Sequence, residues 1–204
     1  METKKSGFNT KLIHAGAYED EFGSATVPIY QTSTFKFKNA QHGADCFSGK
    51  TEGFIYSRIA NPTIQALENN IAALENGYKG IATSSGMGAI NCVYMALLGA
   101  GNHIVSSDAV YGPARGVLEQ DYARFGVEAT FVNTANIENI KAAIRPNTKV
   151  LYIETPANPT MDITDIAACA EIARAHNLIL VVDNTFSSPY LQKPLDLGAD
   201  VVLH

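Results

Sequence analysis

From residue 61 onward the chain alternates between two spacings of its apolar residues. Ile64, Leu67, Ile71 and Leu74 recur at helical intervals, with Asn61 suited to an N-cap, Pro62 to the first turn and Gly77 to the stop. Beyond Gly77, short β-rich runs alternate with helical stretches. Strands are expected over 79–83, 103–107, 127–132, 148–154 and 178–183, helices over 86–98, 113–124, 136–144 and 163–176, and Ala199–Leu203 opens one more strand. Strands alternating with helices imply crossover units and a mainly parallel sheet covered on both faces, an α/β fold. Residues 1–60 lack this regularity and carry Gly16, Gly23, Pro28, Gly43, Gly49 and Gly53. They read as an extended arm of the kind that packs on a partner subunit, ahead of a main domain over 61–204. No helix pattern follows the last strand, so the domain is expected to continue past His204.

Composition narrows the function classes. With 204 residues, 46% of them hydrophobic and 17% charged, the chain has the make-up of a folded domain and not of a disordered one. A net charge of -5 and the absence of any Lys/Arg run argue against nucleic acid or anionic lipid as partners. The N-terminus has no signal-like apolar run and no stretch approaches the length of a membrane span, which points to the cytoplasm. Three widely spaced cysteines, Cys46, Cys92 and Cys169, without a C-x-x-C pair, read as buried or bystander thiols, and five scattered histidines give no metal-ligand pattern.

Ligands of parallel sheets sit at the carboxyl ends of the strands, which singles out four segments. Thr83-Ser84-Ser85-Gly86-Met87-Gly88 places small residues at a helix start, where unpaired N–H groups and the helix dipole suit a phosphate; the same residues also make a tight, capped turn. Tyr111 follows the strand 103–107 and offers a ring to stack on a planar heterocycle and a hydroxyl for proton transfer, or is a partly buried loop residue. Asn158 lies in the proline-braced Glu154-Thr155-Pro156-Ala157-Asn158-Pro159-Thr160, which holds an amide rigidly or simply turns the chain. Asp183 ends the apolar strand Leu178–Val182, where a carboxylate either caps the next turn or pairs with a protonated ring nitrogen.

One ligand uses all four, and the motifs resemble a known family. Y-S-R-I-A-N-P-T (56–63), S-S-G-M-G-A (84–89), V-Y-G (110–112), E-T-P-A-N-P-T (154–160) and V-V-D-N-T-F (181–186), in this order, resemble the signature of the Cys/Met-metabolism enzymes that depend on pyridoxal 5'-phosphate (PLP). That group includes methionine γ-lyase, cystathionine γ- and β-lyases, cystathionine γ-synthase and O-acetylhomoserine sulfhydrylase. The resemblance implies the large domain of an aspartate aminotransferase-like, type I PLP enzyme, acting on a sulfur amino acid by elimination of the methionine or cystathionine type, or by γ-replacement.

It further implies a phosphate cup at Ser85, Gly86 and Met87, ring stacking and proton transfer by Tyr111, Asn158 on the phenolic oxygen, and Asp183 on the pyridinium nitrogen. Tyr56 and Arg58 would reach the phosphate of a neighbouring subunit, in a tetramer built from two dimers. The family's Ser-x-Thr-Lys sequence, with the lysine that carries the cofactor, is expected roughly four residues past His204, followed by a C-terminal domain. Methionine γ-lyases carry cysteine two positions after the stacking tyrosine, where this chain has Pro113, which weakens methionine as the substrate. Two other readings compete. Gly86-Met87-Gly88 with Asp108 partly matches a nicotinamide-binding fingerprint, although Asn91 stands at its last position. The other is an inactive fragment that retains only assembly surfaces.

Overall fold

The computed structural model describes residues 6–18 and 20–204, and divides into two compact units, one ending at Ala82 and the other spanning Thr83–His204. The N-terminal unit contains two short helices that the sequence pattern does not announce, α1 (Phe8–His14) and α2 (Ala40–Phe47), and the expected α3 (Pro62–Leu74). Asn61 caps α3 by accepting the Thr63 N–H at 2.9 Å, and its amide donates to the Tyr30 carbonyl at 2.8 Å. The residues after α1 pack closely on α3. A Cβ on Gly16 would stand 2.1 Å from the Ala66 carbonyl oxygen, so only glycine fits there. The arm expected over 1–60 is thus partly helical where it is described, and α3 belongs to the same compact unit.

The segment 79–83, expected as a strand, is not one. A strand needs a neighbour for its backbone groups; here the Ala82 N–H donates instead to the Glu68 carboxylate at 2.9 Å, and Gly80 lies against the Glu68 carbonyl.

The C-terminal unit follows the α/β pattern closely. Its elements are α4 (Gly86–Leu97), β1 (His103–Ser107), α5 (Gly112–Gly116) running into a π-helical stretch (Val117–Tyr122), β2 (Glu128–Val132), α6 (Ile137–Ala143), β3 (Thr148–Glu154), α7 (Ile166–Ala175), β4 (Ile179–Asp183), α8 (Ser188–Leu191) and β5 (Val201–Leu203). All pairings are parallel and the strand order is β2-β1-β3-β4-β5, so the direction of winding reverses between β1 and β3.

Alternation along the strands builds two apolar layers. Ile104, Val150, Tyr152 and Val181 join Ile90 and Tyr94 of α4 and Leu118 of the π-helical stretch on one face. Val105, Leu151, Ile153, Leu180 and Val182 join Ile140 of α6 and Cys169 and Ile172 of α7 on the other. Central strands buried on both faces explain the nearly unbroken apolar runs in the sequence. Helix α7 starts three residues later than its pattern suggests because Asp165 acts as N-cap and accepts the Ala168 N–H at 3.0 Å. Among the described residues no helix is long and apolar enough to cross a membrane.

Candidate active site

The two-residue period that builds the core also carries polar groups past it. Tyr152 and Val181 pack on the α4 face, and two residues further along the same strands stand Glu154 and Asp183, paired in the parallel register. Both carboxylates are almost fully buried, Glu154 at 5% and Asp183 at 6% exposure. Buried carboxylates need donors, and Asp183 has three. Its Oδ1 accepts the Thr185 N–H at 3.1 Å and the Thr185 hydroxyl at 2.6 Å, and its Oδ2 accepts the Tyr152 hydroxyl at 3.2 Å. Burial, reinforced by the Asp183 charge, lifts the Tyr152 phenol well above its ordinary value, so it remains protonated and donating.

Across from the strand ends lies the start of α4. Ser85 is its N-cap, accepting the Gly88 N–H at 3.0 Å. That takes one of the first-turn donors and leaves the N–H groups of Gly86 and Met87 without an acceptor inside the helix, at the positive end of the helix dipole. Apart from its chain neighbours and its own helix backbone, no described atom lies within 4 Å of where a Gly86 Cβ would stand, whereas a Cβ on Gly88 would press on Thr83 at 3.3 Å.

Two loops complete the site, and one side chain ties both. Glu154 accepts the Tyr111 N–H through Oε2 at 2.7 Å and the Asn158 N–H through Oε1 at 2.9 Å. Burial raises the Glu154 pKa above the ordinary carboxylate value; the two N–H groups oppose that rise, and the Asp183 charge adds to it. Tyr111 remains 42% exposed. Both prolines of the 154–160 loop follow cis peptide bonds.

These groups enclose a cleft of about 230 Å³ lined by Gly86, Met87, Tyr111, Glu154, Asn158 and Asp183, with Ile90, Thr185, Phe186, Leu203 and His204. Five of the eight residues singled out in the sequence therefore meet at one place. Ser85 does not line the cleft and serves instead as the helix cap. Tyr56 and Arg58 belong to the N-terminal unit, exposed on a turn in which the Ser57 N–H donates to the Ser33 carbonyl at 2.9 Å and the guanidinium lies 5.4 Å from the Tyr56 ring centroid.

Sequence reasoning missed Glu154, Thr185 and Phe186 as lining residues and Tyr152 beneath them. Thr185 had a signal in Asp183-Asn184-Thr185, because an aspartate that accepts the N–H two residues on is a common turn device. The nicotinamide reading loses its structural context. Among the described residues no strand precedes Gly86-Met87-Gly88, as that fingerprint requires, and Asp108 does not line the cleft. Among the described residues no group of three or more His, Cys, Asp or Glu is placed to hold a metal.

The cleft has two electrical poles, carboxylates at the strand ends and the N–H-rich start of α4. It suits a flat molecule with a protonated nitrogen and an anionic group. Comparison with known proteins agrees. The chain is 50% identical to L-methionine gamma-lyase of Fusobacterium nucleatum subsp. nucleatum over 205 residues, 100% of this chain and 52% of that protein. It is 49% identical to cystathionine gamma-lyase of Bacillus subtilis over 196 residues, 96% of this chain and 49% of that protein. It therefore spans about half the length of the curated relatives it matches. A solved structure from Campylobacter jejuni, 32% identical with a TM-score of 0.91 over 96% of this chain and 48% of that one, carries N'-pyridoxyl-lysine-5'-monophosphate. The family model for Cys/Met metabolism PLP-dependent enzymes matches residues 9–204, and the chain belongs to that family.

Proposed function

We propose that the cleft holds pyridoxal 5'-phosphate and that the protein carrying this chain cleaves a carbon–sulfur bond of a sulfur amino acid, with water, to a keto acid, ammonia and a thiol. The observation that carries this reading is the meeting of the α4 N-terminus and the buried Asp183 carboxylate in one small cleft. Bound there, the cofactor supplies the electron sink that eases loss of the Cα proton and of a Cγ or Cβ substituent. Gly86 and Met87 hold the phosphate through backbone N–H groups, and Ser85 keeps that helix turn in shape. Asp183, fixed by Thr185 and Tyr152, keeps a proton on the ring nitrogen. Tyr111 would cover the ring face and offer its hydroxyl for proton exchange with the substrate, and Asn158 would meet the phenolic oxygen.

Among the described residues no lysine lines the cleft. The reading therefore assigns the amine that carries the cofactor to residues outside this chain. It also makes the protein a cytoplasmic homotetramer in which residues 1–60 serve a neighbouring subunit, Tyr56 and Arg58 gripping its phosphate, while residues 61–204 hold the chain's own cofactor. Their exposure leaves both side chains available for that role. Pro113, at the first turn of α5, puts no thiol beside Tyr111, which favours cystathionine over methionine and keeps γ-replacement as a second reading.

The test is PLP titration of the purified protein, followed by keto-acid and thiol assays with cystathionine, methionine and O-acetylhomoserine plus sulfide. Saturable PLP uptake and keto-acid release, fastest with cystathionine, are expected. Absence of PLP uptake would overturn the site, and homocysteine and acetate formed from O-acetylhomoserine and sulfide without keto acid would replace elimination by γ-replacement.

A further inference from the structure

We infer that Glu154 is a positioning residue whose single carboxylate sets the Tyr111 ring and the Asn158 loop relative to one another over the cleft. The inference rests on the PLP reading of the cleft. Tyr111 follows β1 and Asn158 follows the neighbouring β3, and 43 residues separate Tyr111 from Glu154. Loops after strands are otherwise free to drift, since no ladder holds them. Here each is pinned by its own backbone N–H to a different oxygen of the same group, at 2.7 Å from Tyr111 and 2.9 Å from Asn158. Glu154 is itself locked. It closes β3, pairs in register with Asp183 on β4, and is 5% exposed. The carboxylate thus couples two of the groups that line the cleft through bonds to main chain, which a rotating side chain on either loop cannot undo.

Shape and charge decide which replacements work. Glutamine matches the shape, but its NH₂ group donates, so it can accept only one of the two N–H groups and opposes the other. Aspartate keeps both acceptors but is one methylene shorter and cannot reach both loops. Both variants should release Tyr111, Asn158 or both.

The experiment is a double-mutant cycle on PLP affinity and on the visible circular dichroism of the bound cofactor, using Glu154→Gln, Tyr111→Ala and the double variant of the purified protein. Glu154→Gln is expected to weaken PLP binding roughly tenfold, the scale of one lost hydrogen bond to a charged acceptor, and to diminish the dichroic band. In the Tyr111→Ala background the same substitution should cost no more than about threefold, because the ring it places is gone. If Glu154→Gln fails to fold by its thermal transition, Glu154→Asp takes its place in the cycle with the same expected coupling. Equal losses in both backgrounds, or unchanged affinity and dichroism in the single variant, would overturn the positioning role while leaving the cofactor site standing. If the unmodified protein takes up no PLP, the cofactor reading fails and this inference falls with it.

Discussion

The two ends of the parallel sheet both bury polar groups, and they do so for opposite purposes. At the amino end His103 is fully buried, and each ring nitrogen meets a threonine hydroxyl, Thr148 at 2.7 Å and Thr130 at 2.8 Å. Arg145 closes the cluster, donating its N–H to Thr148 at 2.8 Å, its guanidinium to Thr130 at 3.1 Å, and pairing with Glu128 at 2.6 Å. Each side chain there is bonded to another of the cluster, and none of them lines the cleft at the carboxyl end. At the carboxyl end Asp183 and Glu154 are also held by donors, yet they face a cleft, together with an exposed tyrosine and a helix start whose first N–H groups point out of the helix. A buried polar cluster closed on itself supports the fold, while one left open toward a cleft is arranged for a ligand.

Substitutions at the two ends should therefore separate activity from stability. The largest effect is expected for Asp183→Ala, with turnover falling roughly a hundredfold or more as the ring nitrogen loses its partner. Its stability cost should stay near 1–3 kcal/mol, from the Tyr152 hydroxyl left without its acceptor. Next comes His103→Ala, expected to destabilise by about 3 kcal/mol through a cavity and two unmatched hydroxyls, with turnover per folded molecule unchanged. Denaturant melts and active-site-normalised rates on both variants check the contrast, and a His103 variant with lost turnover but full stability would erase it.

A pH series sharpens the same comparison. Burial, and then the Arg145 charge, hold the His103 pKa below its ordinary 6.5, with Glu128 opposing. The unfolded chain thus takes up a proton before the folded one does. The stability contribution is complete above the unfolded value of about 6.5 and is lost as pH falls from there through the folded value. The melting temperature should drop between pH 7 and pH 5, and His103→Gln should flatten that slope. Equal slopes would remove His103 from the account.

The smallest effects separate two buried phenols. Tyr152 donates to Asp183, whereas the neighbouring Tyr94 hydroxyl is buried and has no hydrogen-bond partner among the described residues, its ring 5.5 Å from that of Tyr152. Tyr152→Phe should cost about 1 kcal/mol and lower turnover a few-fold, while Tyr94→Phe should be neutral or slightly stabilising, since it removes an unsatisfied group. Thermal melts of the pair decide it.

Much of this architecture was legible from periodicity. The runs 103–107 and 148–154 form strands with those bounds, and Asn61-Pro62 marks the start of α3. What periodicity could not supply was partnership. Residues 79–83 have a strand's composition but lie against Glu68 and not in a ladder. Helices α1 and α2 are short and depend on tertiary contacts more than on pattern, which is why the first 60 residues read as an arm. At the site, Tyr111, Asn158 and Asp183 could be singled out because strand ends are where ligands sit, and Gly86 and Met87 because small residues open a helix. The bridge from Glu154 to Tyr111 could not, because it depends on which strands become neighbours and in what register.

The most direct check of the cofactor site is the protonation of the ring nitrogen. PLP labelled with ¹⁵N in the ring, bound to the purified protein and to its Asp183→Asn variant at alkaline pH, reports that state through its nitrogen chemical shift. A protonated nitrogen in the unmodified protein and an unprotonated one in the variant are expected. The same shift in both would contradict the placement of Asp183 against the ring, and with it the reading of the cleft.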